Sequence, residues 1–482
     1  MTESSPLSGL VNELRKLRNE TQWVEFKVNN NKPEEIGEYI STLANSAALV
    51  GKQFGYLVWG IRDGDHELVG TSFDPTTTKI GGEELESWLT KLLSPKVAFR
   101  FLTDDINGKR VVVLEVPRAV ESPVQFRRND FIRVGSYKKP LRDHPQLERE
   151  LWREFDRIAF EYDIEREAVA AAEVFELLDW QTYFDATGLQ RPQDPAKALD
   201  MLAAERMVVP SLRGGWDITN LGAICLARDL SRFARLGRKR LRIVRYKGSD
   251  KAEAYGEYEV QEGYVRGLIE AMSYLERFIP QVEVIKVKRA SVYEFPLEAV
   301  REVIINALIH QDFTVHGAGP MVEIFDGRIE VTNPGASLVE TERILDMPPM
   351  SRNDGLASFM RRIGYSEERG SGIDKIVESI ERNILPAPEF RTMGNFTRVL
   401  LFGPRPFAEM NRGERMRAVY LHTCLHHVSN RLTNNATIRE RFGFDNVTKA
   451  SRLLADAVDD GRIRIRNPEL GRRYAEYVPY WA

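Results

Sequence analysis

Between residues 23 and 28 the chain alternates, with Val24, Phe26 and Val28 on one side and Trp23, Glu25 and Lys27 on the other. That period of two predicts a strand. A short amphipathic helix is predicted over 8–18. A helix over about 33–49, a strand at FGYLVWGI, a helix near 83–93 and a strand at RVVVLEV continue an α/β pattern, which FIRVGSYKKPLR closes. These elements place a first domain at 1–150. Residues 151–254 begin with charged helical sequence; AAEVFELLDWQTYFDATGL and 195–207 read as helices followed by a β-wing, VVPSLRGGWDIT, the order of a winged helix. Over 255–404 a long helix precedes REVIINALIH, and the strands MVEIFD and RIEVTN then turn at Asp326 and Gly327, an α+β sandwich signature. The tail, 405–482, has helical periodicity and ends in strand-like pieces, which suggests a second winged helix. The expected fold class is therefore an α+β multidomain chain.

REVIINALIH, residues 301–310, has an unusual pattern. At 100° per residue Glu302, Asn306 and His310 fall in one stripe roughly 80° wide, while nearly every other position is apolar. A helix apolar almost all round is buried, and a buried carboxylate without partners costs several kcal/mol or is driven to protonate. A metal-bound phosphate satisfies this stripe, because an Asn oxygen can ligate Mg²⁺ and a Glu can orient and deprotonate a water. Another buried polar surface satisfies it as well. His310 reads as a structural cap.

Composition narrows the classes. At 482 residues the chain exceeds one hydrophobic core and predicts three or four domains. Cys225 and Cys424 lie far apart, which excludes a disulfide framework or Cys-rich zinc site and points to a reducing, cytoplasmic setting. No apolar run reaches the roughly 20 residues that span a membrane, and the polar start is no signal peptide. The net charge of −3 hides local bias. Residues 228–247 hold nine Lys or Arg against one acid, and residues 126–142 hold six against one, interleaved with Phe126, Phe131 and Tyr137. Such runs neutralise phosphates, and the aromatics stack on unpaired bases. His422, His426 and His427 have a helical spacing better suited to an amphipathic surface helix than to a metal site.

After Glu302 and Asn306 come Asn333-Pro334-Gly335 at a strand end and Arg369-Gly370-Ser371-Gly372-Ile373 before a helix. Glycines at a helix N-terminus let backbone N–H groups approach phosphate. This ordered set, over about 255–404, resembles the GHKL ATPases, in particular the divergent branch found in RecG-like and transcriptional-regulator proteins. The resemblance implies a GHKL α/β sandwich that binds ATP and Mg²⁺. Glu302 would be general base and Asn306 the Mg²⁺ ligand. Gly370, Ser371 and Gly372 would hold phosphates, and Asn333 and Gly335 would sit at the adenine, where the broader superfamily carries Asp for Asn333. Residues 336–369 would form a lid, with Arg352 and Asn353 as nucleotide contacts.

At the N-terminus, E-x4-E-F-K, EYISTLANSAA, FGYLVWGIRDGD and FIRVGSYKKPLR resemble the Schlafen-type AlbA-like domain over about 12–142. Glu25 and Lys27 project from the same strand face. The resemblance assigns Glu20, Glu25 and Asp63 to a metal triad for Mg²⁺ or Mn²⁺, with Lys27 steadying water or phosphate. The bland alternative is a surface ion pair between Glu25 and Lys27, worth under about 1 kcal/mol, with Asp63 in a turn.

The combined expectation is an ATP-regulated protein acting on DNA or RNA, with metal-dependent nuclease activity suited to a defence or stress effector. The alternative is a non-catalytic, ATP-sensing DNA-binding regulator. A helicase motor is disfavoured, since no G-x4-G-K-[ST] is present. Both resembled modules often dimerise, so a homo-oligomer is expected.

Overall fold

Val24–Lys27 forms the strand that the alternation predicts and pairs in parallel with Phe54–Trp59. Lys109–Pro117 and Arg100–Ile106 extend the sheet in antiparallel fashion. In this computed structural model the described residues are 6–17, 21–120, 122–135, 137–157, 160–285, 289–348, 350–366, 372–468 and 475–482. They fall into two units, Met1–Val174 with Leu199–Thr219, and Phe175–Ala198 with Asn220–Ala482. Among them no helix is long and apolar enough to cross a membrane.

In the first unit the sheet is covered on both faces, because two helices pack on it. Val24, Phe26, Tyr56, Val58, Val111 and Val113 join Leu10 and Leu14 of the Pro6–Arg15 helix. On the other face Leu57, Trp59, Val112 and Leu114 join Ile36, Ile40 and Leu43 of the Pro33–Leu49 helix. Glu25 alternates onto this second face and is buried, not at the surface. A second small sheet, with Asn129–Val134 at its centre, packs on the same helix. Gly37 permits the approach: a Cβ there would collide with the Phe126 ring. The hairpin of Val208–Pro210 and Trp216–Thr219, expected in the wing of a separate domain, pairs with Ile164–Val169 and belongs to this unit.

The second unit is built on a six-stranded sheet in the order Ala254–Glu259, Arg242–Tyr246, Met321–Phe325, Arg328–Pro334, Phe396–Phe402, Glu389–Met393. Only the Arg242–Tyr246 and Met321–Phe325 pair is parallel. The expected boundary between 254 and 255 therefore runs through a hydrogen-bonded hairpin, because the apolar strand RIVRY lies inside the basic run and was read as charge. The Leu297–Ile309 helix is buried along most of its length, as its composition requires. Its C-terminal neighbour in the chain, His310, donates its backbone N–H to the Asn306 carbonyl at 2.9 Å and caps the helix.

The tail forms three helices, Arg412–Val428, Asn435–Phe442 and Val447–Asp459, followed by the antiparallel strands Ile463–Ile465 and Tyr477–Pro479. Asn411 and Asn434 start the first two with capping boxes, which satisfy otherwise orphaned N–H groups. His422 is buried rather than on a surface face, because Glu381 and Arg441 meet it inside: its Nδ1 lies 2.9 Å from the Glu381 carboxylate, which Arg441 approaches at 3.1 Å.

Replacing Gly37 with Val should cost about 1–3 kcal/mol through overpacking against Phe126. Urea unfolding of the full chain measures it, and an unchanged midpoint would show that the helix and the small sheet are not in close contact.

Candidate functional site

The Leu297–Ile309 helix brings Glu302 and Asn306 to the first residue of the Gly372–Arg382 helix. A Cβ on Gly372 would run into the Glu302 carboxylate and stand 3.4 Å from Asn306 Nδ2. Glu302 is only 5% exposed. The first residue of the Gly372–Arg382 helix thus lies directly over the polar stripe, so that the positive end of the helix dipole faces a carboxylate. Gly370 and Ser371 lie outside the described residues.

The end of the same helix is held by a second set of bonds. Asn353, 4% exposed, donates both amide hydrogens, to the Ile309 carbonyl at 2.7 Å and the Gln311 carbonyl at 2.8 Å. Arg352 donates to the carbonyls of His310, at 3.3 Å, and Ala336. Both residues, expected as nucleotide contacts, therefore have donors committed to closing the helix C-terminus and pinning the 334–336 loop. Their geometry makes them positioning residues, since orphan carbonyls at a buried helix end need donors. Gly335 occupies the left-handed region at φ +103°, with a Cβ position 3.1 Å from Asp312 and 3.2 Å from Arg352, so no side chain fits there. Asn333 is buried at the end of its strand, with its amide donating to the Pro334 carbonyl at 3.0 Å.

Two perturbed acids and bases lie around this constellation. Burial and the Arg352 charge push the His310 imidazole below its usual range, so His310 is neutral at physiological pH. Burial, with Glu378 nearby, pushes the Asp374 carboxyl up to about 6, although it sits near a helix N-terminus. Asp374 escaped the sequence reading, although it follows the glycine motif by two positions.

In the first unit Glu25 is met by three groups. Lys27 and Arg133 form ion pairs with its two oxygens, and Tyr39 donates its hydroxyl at 2.9 Å. Arg133 is itself fully buried and also donates to the Val24 carbonyl at 2.9 Å. Asp63 stands exposed in a turn, and Glu20 lies outside the described residues. Among the described residues no group of three His, Cys, Asp or Glu side chains is placed to hold a metal ion. Glu25 and Lys27 are brought together as expected, but two cations already neutralise the carboxylate. Arg133 escaped notice as a partner because it was counted in a surface patch.

Several members of the basic runs are also engaged, while Arg128 and Lys139 are exposed. Arg127 pairs with Glu34 at 2.7 Å, Lys138 with Glu38, Arg240 with Glu259 at 2.9 Å, and Lys247 with Glu253 at 3.3 Å. Lys239 is buried and donates to the Val315 and Ala318 carbonyls, and burial lowers its pKa. Phe126 is a core residue against Gly37, not an exposed platform; Tyr137 is exposed.

Arg133→Ala removes one of the two cations that neutralise a buried carboxylate and should cost about 3–5 kcal/mol. Chemical denaturation reads the loss, and a change under 1 kcal/mol would mean that Glu25 is solvated. Asp374 carries the opposite sign to an ordinary carboxylate. Its folded pKa lies above the unfolded value of 3.8, so the ionised form costs stability above about pH 6 and nothing below the unfolded pKa. Asp374→Asn should therefore raise the melting temperature at pH 7, with the gain gone by pH 3.5. A gain independent of pH would place the cause elsewhere.

Comparison with known proteins adds identity to two segments of the chain. Residues 20–142 match the family described as "Schlafen, AlbA_2", and residues 317–401 match the family described as "Putative ATP-dependent DNA helicase recG C-terminal". No curated protein matches the chain. Among solved structures, the DIP2311 protein of Corynebacterium diphtheriae is 18% identical over 95% of this chain and 92% of its own, with a TM-score of 0.41. The N-terminal domain of a RecG-related protein from Nitrosomonas europaea is 21% identical over 24% of this chain and 74% of its own, with a TM-score of 0.18. The chain thus pairs an N-terminal AlbA_2, Schlafen-like domain with a C-terminal RecG-related domain, a pairing associated with nucleic acid and ATP.

Proposed function

We propose that this protein is a nucleic-acid-binding regulator governed by ATP, with Mg²⁺ and nucleotide held where Glu302 and Asn306 meet Gly372. The observation that carries this reading is the meeting of Glu302 and Asn306 with the bare backbone of Gly372, where a Cβ would run into the carboxylate. The donor set fits the ligand, because an amide oxygen suits Mg²⁺ and helix N–H groups suit phosphate. Asn306 would ligate the ion. The N-terminus of the Gly372–Arg382 helix would bind phosphate, and Glu302 would hold a water by its carboxylate and take its proton. Bound Mg·ATP would supply positive charge beside Glu302 and a triphosphate for the helix N-terminus. Arg352 and Asn353 act indirectly, by fixing the end of the helix that presents Glu302. The sandwich of sheet and helices supports the GHKL assignment, and the helix and hairpin order of the tail supports a winged helix for nucleic-acid contact.

For the N-terminal domain we favour binding over cleavage. A nuclease needs Glu25 free to ligate a metal, whereas Lys27, Arg133 and Tyr39 engage it here. Titration calorimetry of the full chain with Mg·ATP tests the nucleotide site. Asn306→Ala should weaken binding at least tenfold, Gly372→Ala should do the same at some cost in melting temperature because its Cβ meets Glu302, and Glu302→Gln should retain binding. A wild-type protein that binds no Mg·ATP would overturn the reading.

A further inference from the structure

A cleft of about 380 Å³ opens in the first unit between the start of the Phe54–Trp59 strand and the Val208–Pro210 hairpin. None of its lining residues belongs to the cluster around Glu25. Its size lies at the lower end of ligand cavities, about 300–1,000 Å³, which suits one nucleotide and not a duplex. Two aromatic rings stand half-buried at its walls, Trp23 and Tyr162, and buried Tyr56 meets Trp23 edge-on at 6.0 Å. Each wall carries a cation: Lys52 Nζ lies 5.0 Å from the Trp23 ring centre, and the Arg206 guanidinium lies 3.9 Å from that of Tyr162.

The charges in the cleft differ in how they are engaged. Arg118 pairs with Asp163, and Arg213 pairs with Glu115 and Glu167. Lys52 and Arg206 have no carboxylate partner among the described residues, and both are exposed. An exposed cation held over an aromatic face contributes little to stability. The same pair is well suited to a ligand that has both a flat π-face and a negative charge. Glu167 and Asp217 also line the cleft. Carboxylates accept hydrogen bonds from the ring N–H of thymine or uracil and from the exocyclic amines of other bases but repel an acidic peptide, which separates the two ligand classes.

We propose that this cleft seats an unpaired base of a single nucleic-acid strand, with Lys52 and Arg206 swinging off the ring faces of Trp23 and Tyr162 to neutralise the flanking phosphates and the base stacking in their place. The proposal rests on the nucleic-acid-binding reading above and assigns the contact to a site distinct from the cluster around Glu25. Stacking of this kind is tolerant of sequence and sensitive to salt, so the strand would be read by flexibility rather than by base edges.

The test uses the full chain and fluorescein-labelled 20-mers of dT and rU, with a duplex of equal length as control, read by fluorescence anisotropy. Lys52→Ala with Arg206→Ala should weaken single-strand binding at least tenfold and reduce the salt slope by about 1.4, at roughly 0.7 per phosphate contact on a single strand. Because Trp23 also packs on the core, its role is read without mutation: photocrosslinking with 4-thiouridine in the rU strand should label the peptides bearing Trp23 or Tyr162. Binding that is unchanged in the double variant, with crosslinks confined to other peptides, would overturn the cleft while leaving nucleic-acid binding intact. A wild-type chain that binds no strand would overturn both this proposal and the reading on which it rests. Displacement of the strand by poly-glutamate of equal charge at equal concentration would show that the cleft selects charge alone, and would overturn the base.

Discussion

A carboxylate taken out of water must find a partner, and in the second unit Glu302 sets that requirement. The helix that carries it is apolar on nearly every other position, so burial is imposed by the rest of the sequence. The fold answers by laying the glycine start of another helix across the stripe. Much of the surrounding architecture follows from keeping that helix in place: Asn353 and Arg352 close its C-terminal end, Gly335 lets the strand-end loop pass beneath Arg352, and His310 is held neutral as its cap. At its far end the Gly372–Arg382 helix is fixed by Glu381, which is shared between His422 and Arg441 of the tail. One helix therefore joins the candidate nucleotide site to the C-terminal helices through buried charge.

The first unit treats a buried carboxylate differently. Glu25 is neutralised by Lys27, by Arg133 and by the Tyr39 hydroxyl, all contributed by elements on the helix-covered face of the sheet. A site so closed has little call for a metal ion. Lys52 and Arg206, exposed and without a carboxylate partner among the described residues, lie elsewhere, over aromatic rings at the cleft lined by Trp23 and Tyr162. The contrast between the two units is in what meets each carboxylate: protein cations in one, and in the other the glycine start of a helix.

Local pattern made a good part of this legible. The strand at Val24–Lys27, the Pro33–Leu49 helix and the buried Leu297–Ile309 helix each followed from periodicity and composition. The meeting of Glu302, Asn306 and Gly372 was suggested by motif order. What escaped was long-range pairing. Arg133 lies more than 100 residues from Glu25, so a linear count put it in a surface patch. The RIVRY strand was hidden by the charges around it, and its parallel partner, Met321–Phe325, is nearly 80 residues on. Asn353 looked like a ligand contact because an amide in a loop gives no sign of which carbonyls it will meet.

The central claim is that the Gly372 backbone and the Glu302 stripe form one nucleotide site. Hydrogen–deuterium exchange of the full chain, with and without saturating Mg·ATP, tests it most directly. The account predicts slowed exchange confined to peptides spanning 302–310 and 372–376, where the helix N–H groups would take up phosphate. Unchanged exchange in both segments at saturating nucleotide, or protection located only elsewhere in the chain, would contradict it.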